Sequence, residues 1–286
     1  MGLTLYETES SARAIFEQAN EILGYDLAKI CFEGPAEKLN STVCSQPALY
    51  VTSLAALSKL KRSQPDLLDE VKLTAGLSLG EYTAIVFAGG LSFEDGLRLV
   101  QRRGEAMQAA ADLAPSGMVS VLGLDAGAVE KVCHAARVEG EVLQVANLLC
   151  PGNIVVSGHQ VSCNNVAKHA EAAGAMRAVP LAVAGAFHTP LMEPALERLK
   201  KALDDATFTQ PRIPIISNVD AQPHTDPDEL KDLLHQQVCS PVMWEESMRI
   251  MINDGINEFY EVGAGRVLCG LMKRIDRKVN CQAISD

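Results

Sequence analysis

Gly76-Leu77-Ser78-Leu79-Gly80 stands between an apolar stretch typical of a strand, at 71–75, and a helical pattern that begins at Glu81. A serine with a glycine two positions away on each side, set between strand and helix, is the pattern of a nucleophile elbow. The sharp turn excludes bulky neighbours, and the helix N-terminus after it stabilises negative charge. Chance occurrence of the five-residue pattern is the alternative. The strand and helix around it favour Ser78 as a nucleophile.

Size and composition limit the classes of protein to consider. The chain has 286 residues and a net charge of −11, which argues against binding a nucleic-acid backbone as its main task. No apolar run reaches the roughly 18 residues that span a bilayer, so a soluble protein with no membrane partner is expected. Eight cysteines without a Cys-x-x-Cys pair predict neither a zinc site nor a redox pair. Basic clusters such as Lys200-Lys201 are either ordinary surface or a docking patch for an acidic partner.

The middle of the chain has a different texture from its flanks. Between 115 and 185, strand and helix patterns alternate in the order β-α-β-β-α-β, the ferredoxin-like arrangement. Longer helices and single strands lie on both sides of this segment. The sequence therefore predicts an α/β fold: a discontinuous α/β-hydrolase-like domain with a parallel sheet, 1–114 and 186–286, and a ferredoxin-like subdomain inserted at 115–185. A ligand is expected in the cleft between them.

Ser78 needs a base, because a serine hydroxyl is a weak nucleophile at neutral pH. Of the six histidines, His188 lies in a loop of small residues, AGAFHTP at 184–190, where the chain leaves the predicted insert. It is the candidate base, although a loop histidine is also compatible with a purely structural role. Between Ser78 and His188, no acidic residue stands in an obvious loop after a strand, so the order of an ordinary α/β-hydrolase fits poorly. Arg103 is either a solvated helix residue or a clamp for a carboxylate.

Six segments resemble, in order, the motifs of malonyl-CoA:acyl-carrier-protein transacylases. They cover nearly the whole chain and are GLSLGEY at 76–82, RGEAMQ at 103–108, GAFHTPLM at 185–192, SNVD at 217–220, QVCSPVMW at 237–244 and EVGAGRVL at 261–268. Several of them, together with AQPH at 221–224, look most like the plant and algal organellar enzymes. The resemblance therefore implies a place in a plastid or mitochondrion.

The resemblance also implies a reaction and a set of roles. Ser78 would attack the malonyl thioester with His188 as the base, and the malonyl group would then pass to the phosphopantetheine thiol of acyl carrier protein. The backbone carbonyl of Gln237 would orient the imidazole, and the backbone N–H of Leu79 would donate to the oxyanion. Arg103 would hold the malonyl carboxylate. Malonyl-CoA and acyl carrier protein are the implied substrates, with no cofactor or metal, and a monomer is expected.

Three positions depart from the family pattern. Leu77 stands where many bacterial members have histidine, and Ala264 replaces a proline. The resemblance places Met1-Gly2 at the end of a Gly-Gln-Gly-x-Gln loop whose glutamine supplies an oxyanion donor. Loss of one such donor lowers a rate by roughly 100-fold to 1000-fold. On this basis the chain is expected to have little activity and lowered stability, and equal turnover by a chain extended at its front would refute that.

Two other functions stay open at this point. A serine thioesterase or hydrolase would pass the acyl group to water instead of a carrier thiol. A form of low activity would only bind the carrier protein through its basic clusters.

Overall fold

The structure is a computed structural model and describes residues 1–285. Its α-helices are α1 (Leu3–Thr8), α2 (Ser10–Leu23), α3 (Leu27–Glu33), α4 (Ala36–Asn40), α5 (Thr42–Ser63), α6 (Pro65–Glu70), α7 (Leu79–Phe87), α8 (Phe93–Ala111), α9 (Ala126–Ala136), α10 (Gln160–Ala172), α11 (Glu193–Asp205), α12 (Pro227–Gln237), α13 (Trp244–Asn253) and α14 (Val267–Ile275). A 3₁₀ turn, Pro190–Met192, precedes α11. The strands are β1 (Thr74–Ala75), β2 (Ser116–Leu122), β3 (Leu143–Cys150), β4 (Asn153–His159), β5 (Arg177–Pro180), β6 (Ile215–Ile216), β7 (Pro223–His224), β8 (Glu258–Val262) and β9 (Asn280–Ile284).

One four-stranded sheet, called the small sheet below, is formed by β2 to β5. Its order is β3-β4-β2-β5 with antiparallel neighbours, and α9 and α10 pack on it around an apolar core. This is the predicted β-α-β-β-α-β order. Gly158 in β4 lies so close to β3 that a Cβ there would be 2.1 Å from the carbonyl oxygen of Val142. The boundaries of the insert, 115 and 185, stay a prediction.

The parallel sheet predicted for the rest of the chain is shorter than expected. β1 pairs in parallel with β6 over two residues each, and β6 pairs with β7 in antiparallel fashion, so this main sheet is mixed. The sequence pattern predicts a strand at 213–218 as well as the one at 71–75. The first of these is shortened to β6 because Pro214, which has no N–H to donate, stands directly before it. A second parallel pair joins β8 and β9. The fold class, α/β with mixed helix and sheet, is as predicted.

The two parts of the fold are joined by main-chain hydrogen bonds. Leu148 N donates to Val242 O at 2.9 Å, and Val242 N donates to Ala146 O at 2.8 Å. Val242 precedes α13, so this bridge fastens β3 of the small sheet to the body of the molecule. Trp244 and Cys150 share one buried cluster across the same junction. In the part of the chain that the structure describes, no helix combines the length and the apolar character that crossing a membrane requires.

Candidate active site

The elbow, residues 76–80, joins β1 to α7 through a strained serine. Ser78 has φ 50° and ψ −100°, and α7 begins at the next residue. A positive φ is unfavourable for a residue with a Cβ and persists only where surrounding contacts enforce it. Asn218 supplies such contacts: its Oδ1 accepts from Ser78 N at 2.6 Å, and its Nδ2 donates to Gly76 O at 2.7 Å. The side chain of Asn218 therefore holds the turn from both ends.

The two glycines of the elbow are not equivalent. A Cβ at Gly76 would lie 1.9 Å from the carbonyl carbon of Gly80, a clash with backbone that no rotamer relieves. A Cβ at Gly80 meets nothing within 4 Å. The steric need for glycine that the sequence suggested on both sides of Ser78 thus applies to Gly76 alone.

This difference gives a paired test. We expect Gly76→Ala to destabilise the protein by about 1–3 kcal/mol, as overpacking does, and to displace Ser78 from its base. Gly80→Ala is the matched control: alanine is the better helix former by up to about 1 kcal/mol, so stability is expected to hold or rise slightly. Chemical denaturation and the rate of Ser78 acylation measure both effects. Equal losses in the two variants would contradict the assignment of the clash.

His188 connects Ser78 to the main chain at the C-terminal end of α12. Its Nε2 lies 2.9 Å from Ser78 Oγ, and its Nδ1 lies 2.8 Å from the carbonyl oxygen of Gln237. A carbonyl oxygen can only accept, so Nδ1 carries the proton and the neutral ring offers Nε2 to the serine hydroxyl as an acceptor. His188 itself has φ 63°, and its N–H donates to Val238 O at 3.1 Å. The imidazole is thus oriented as a base for Ser78.

The surroundings keep this imidazole uncharged. Burial, followed by the positive charge of Arg103, lowers the pKa of His188 to about 4. The ring is therefore neutral at physiological pH and available to accept a proton.

Arg103 is buried beside the serine. Arg103 as a whole residue is 2% exposed, whereas the side chain of Arg102, next to it on α8, is 69% exposed. Its Nη2 donates to Ser78 Oγ at 3.0 Å and to Gln237 Oε1 at 2.9 Å, and its Nη1 donates to Gln46 Oε1 at 2.7 Å. The interpretation of Arg103 as a solvated helix residue is therefore wrong, and its guanidinium faces the Ser78 hydroxyl.

A close approach of two helices places this arginine. A Cβ at Gly104 would lie 2.7 Å from Thr42 O, at the start of α5. The absence of a side chain at Gly104 lets α8 come near the start of α5. Gln46, which accepts a hydrogen bond from Arg103, lies one turn further along α5.

Leu79 is the first residue of α7. The first N–H groups of a helix have no acceptor inside the helix, and they lie at its positive end. The Leu79 N–H follows Ser78 directly, at the place where an oxyanion formed on a serine-bound carbonyl needs a donor.

The small sheet borders this site. Gln144 Nε2 in β3 contacts His188 O at 3.5 Å, and Phe187 packs against Met118, Ala146 and Val155 of that sheet. The site thus lies where the sequence placed it, at the exit from the predicted insert. In residues 1–285 no group of three or more His, Cys, Asp or Glu side chains is arranged to hold a metal ion.

Sequence reasoning gave no role to four side chains that complete the site: those of Gln46, Glu81, Asn218 and Gln237. The amide of Gln237 donates to Ser78 O at 2.9 Å and to Glu81 Oε2 at 2.7 Å, while its Oε1 accepts from Arg103. One signal was present for Glu81, the only charged residue of α7, LGEYTAIVF. A single charge in an apolar helix predicts a buried charge with partners. The amides carried no such signal.

The chain is similar to known proteins both in sequence and in fold. Residues 1–276 match the acyl transferase domain family. The chain is 43% identical over 288 residues to a malonyl CoA-acyl carrier protein transacylase of Bacillus subtilis, covering 100% of this chain and 89% of that one. It is 41% identical over 281 residues to a mitochondrial malonyl-CoA-acyl carrier protein transacylase of Mus musculus, covering 93% and 73%.

A solved structure shares the fold as well as the sequence. It contains a malonyl-transacylase in complex with its type II PKS acyl-carrier protein, in the holo form, and matches with a TM-score of 0.95 at 34% identity, covering 100% of this chain and 91% of that one. The family match over nearly the full length and the identity of its relatives agree with the geometry around Ser78. The chain belongs to the acyl transferase family and, within it, to the malonyl-CoA:acyl-carrier-protein transacylases.

Proposed function

We propose that this protein transfers a malonyl group from malonyl-CoA to the phosphopantetheine thiol of acyl carrier protein, in fatty acid synthesis, through a malonyl ester on Ser78. One observation carries the proposal: Ser78 Oγ, His188 and the main-chain oxygen of Gln237 form a continuous hydrogen-bonded series, with distances of 2.9 and 2.8 Å. The relatives, which are named as malonyl-CoA-acyl carrier protein transacylases, support the choice of malonyl-CoA and acyl carrier protein.

The first half-reaction loads the enzyme. Ser78 Oγ attacks the thioester carbonyl while His188 Nε2 takes the hydroxyl proton. The tetrahedral intermediate collapses, the carbon–sulfur bond breaks, and the proton on His188 goes to the CoA thiolate. The Leu79 N–H, at the positive end of α7, donates to the oxygen that becomes negative in the intermediate.

The second half-reaction unloads it. His188 takes the proton of the phosphopantetheine thiol, and the thiolate attacks the malonyl-serine ester. The bond from Ser78 Oγ to the acyl carbon breaks, and the proton returns from His188 to Ser78. The same imidazole thus serves both halves without a second acid or base.

Arg103 binds the free carboxylate of the malonyl group in this proposal. A guanidinium matches a carboxylate in charge and in the spacing of its donors, and burial strengthens the attraction. Because Nη2 already lies 3.0 Å from Ser78 Oγ, a carboxylate held on Arg103 places the thioester carbonyl, two bonds away along the acyl group, near the nucleophile.

We also propose that the protein acts as a monomer, since one chain supplies all five residues with a proposed role: Ser78, Leu79, Arg103, His188 and Gln237. We propose that it acts without a cofactor, since the two half-reactions need none. A location in a mitochondrion or plastid is proposed from the organellar sequence motifs, and the mouse relative is mitochondrial by name.

The direct test is mass spectrometry of the intact protein after mixing with malonyl-CoA alone. We expect a stable malonyl adduct that peptide mapping places on Ser78 and that disappears when holo acyl carrier protein is added. Ser78→Ala, which lacks the hydroxyl, is expected to form no adduct. Continuous release of free malonate and CoA without the carrier would instead indicate a hydrolase, and carrier binding without any adduct would indicate a non-catalytic form.

A further inference from the structure

Glu81 is a carboxylate buried beneath the elbow. It is 0% exposed, and its Oε2 accepts from Gln237 Nε2 at 2.7 Å and from Asn218 N at 3.2 Å. Its Oε1 is buried and has no partner among the described residues. A buried ionised carboxylate is unfavourable unless an opposite charge balances it, so its presence in an apolar helix needs an explanation.

Gln237 links this carboxylate to the reacting groups. Both N–H groups of its amide are used, one toward Ser78 O and one toward Glu81, which leaves Oε1 to accept from Arg103. Its main-chain oxygen meanwhile faces His188 Nδ1 at 2.8 Å. Glu81 therefore fixes the orientation of the one residue that touches the serine, the base and the guanidinium.

The charges around Glu81 are few. Arg103 on α8 is the cation. Tyr82, on α7 with Glu81, and His188 in the loop are neutral at pH 7. Ser217 and Asn218 after β6 and Gln237 at the end of α12 contribute uncharged side chains. Arg103 and an ionised Glu81 thus form a buried group with no net charge. A malonyl carboxylate bound to Arg103 would leave one excess negative charge in this low-dielectric volume, which is unfavourable unless one carboxylate gains a proton.

We propose that Glu81 is a positioning residue that balances the charge of Arg103 in the free enzyme and takes up one proton when the malonyl carboxylate occupies Arg103. The inference rests on the role proposed above for Arg103. The unpartnered Oε1 is the site of protonation, because a proton there leaves both hydrogen bonds to Oε2 in place.

The pKa of Glu81 lies in a range where binding of a malonyl carboxylate can change its protonation. Burial raises the pKa of Glu81 to about 7, against smaller opposing effects of Gln237, Asn218, Arg103 and the hydroxyl of Ser217. A second carboxylate on Arg103 weakens the opposing effect of that arginine and raises the pKa of Glu81 further. Between the two pKa values, binding consumes a proton, so affinity falls as pH rises. Below the lower value Glu81 is already protonated and binding takes up none.

The test is isothermal titration calorimetry of malonyl-CoA into a Ser78→Ala protein, which binds without acylation, in buffers of different ionisation enthalpy. We expect uptake of close to one proton at about pH 8 and almost none at about pH 5.5. Over about pH 6 to pH 8.5, the Kd for malonyl-CoA is expected to rise about tenfold or more. His188 titrates below this window, so it contributes nothing to the count at pH 8.

Two controls isolate Glu81. Acetyl-CoA has the same phosphates but no carboxylate for Arg103, and it is expected to take up no proton. Glu81→Gln, in the same Ser78→Ala protein, keeps an oxygen for Gln237 and Asn218, cannot titrate, and imitates the protonated state. It is expected to bind malonyl-CoA with no proton uptake and with an affinity independent of pH.

Equal proton uptake in the Glu81→Gln protein, or equal uptake with acetyl-CoA, would overturn the inference. Should Glu81→Gln fail to fold, the proton count of the protein with Glu81 intact, compared between malonyl-CoA and acetyl-CoA, still decides. A zero count together with a malonyl preference that is lost in Arg103→Ala would reject the role of Glu81 alone. Absence of a malonyl adduct on Ser78 would instead reject the proposed function.

Discussion

Replacing His188 with alanine is expected to lower the rate of Ser78 acylation by malonyl-CoA by about 10³-fold to 10⁴-fold, the upper range for loss of a general base. The reason is geometric: Nε2 lies 2.9 Å from Ser78 Oγ, and among residues 1–285 the other titratable group that makes a hydrogen bond to that oxygen is Arg103, which is a donor. Rapid quenching followed by mass spectrometry measures the rate. The matched control is His134→Ala, an exposed histidine on α9, which is expected to leave the rate unchanged. Equal rates in the two variants would reject His188 as the base.

The pH profile of the same reaction gives an independent measure of His188. Because the pKa of this histidine is lowered to about 4, its ring stays unprotonated well below the ordinary histidine value. At saturating malonyl-CoA, the acylation rate is expected to hold as pH falls through about 6.5 and to decline only in more acidic buffer. A midpoint of the rate profile near 6.5 would show that the base is solvated.

The lowered pKa of His188 also makes stability depend on pH. Unfolding exposes a ring that binds a proton more readily, so the free energy of unfolding is expected to decrease as pH falls from about 6.5 toward 4.

Replacing Arg103 with alanine is expected to remove the preference for malonyl over acetyl thioesters. A hydrogen bond to a charged partner contributes about 1.5–3 kcal/mol, which corresponds to a loss of about 10-fold to 150-fold in kcat/KM for malonyl-CoA. The value for acetyl-CoA is expected to fall much less, since an acetyl group offers no carboxylate. The ratio of the two kcat/KM values is the measurement.

Two further variants separate the clamp from general damage. Arg102→Ala changes the exposed neighbour on the same helix and is expected to keep the ratio. Arg103→Lys keeps the charge but loses the two-pronged donor arrangement, so an intermediate ratio is expected. If Arg103→Ala unfolds at the same denaturant concentration as the unmodified protein and keeps the same ratio of kcat/KM values, the malonyl carboxylate binds elsewhere.

The sequence predicts some helices and strands better than others. The apolar period of the sequence predicts helices at Phe93–Ala111 and Ala126–Ala136 and a further helix near Pro227–Gln237, and the structure has helices at these positions. Two-residue strands such as Pro223–His224 contain no period at all, and the pairing of β9 with β8 joins residues that no local pattern connects. The short helices α1, α3 and α4 contain too few residues to show a period, and their stability comes from contacts with the rest of the fold.

The site shows the same division. Ser78 was predictable because a strained turn leaves a glycine pattern, and His188 because its loop marks the boundary between two textures of sequence. The Asn218 side chain that holds the elbow lies 140 positions away from Ser78, and Glu81 acquires its partners only when that segment and Gln237 arrive. Such contacts exist in the folded molecule alone.

The partner of the imidazole is a peptide oxygen, and this has a genetic consequence. Every amino acid at position 237 carries the same carbonyl, so no codon change deletes that contact. A scan that exchanges side chains one at a time is expected to detect Ser78 and His188 of the proposed catalytic series but to miss the main-chain oxygen of Gln237. A defect seen at position 237 would instead report the loss of the side-chain amide that contacts Arg103 and Glu81.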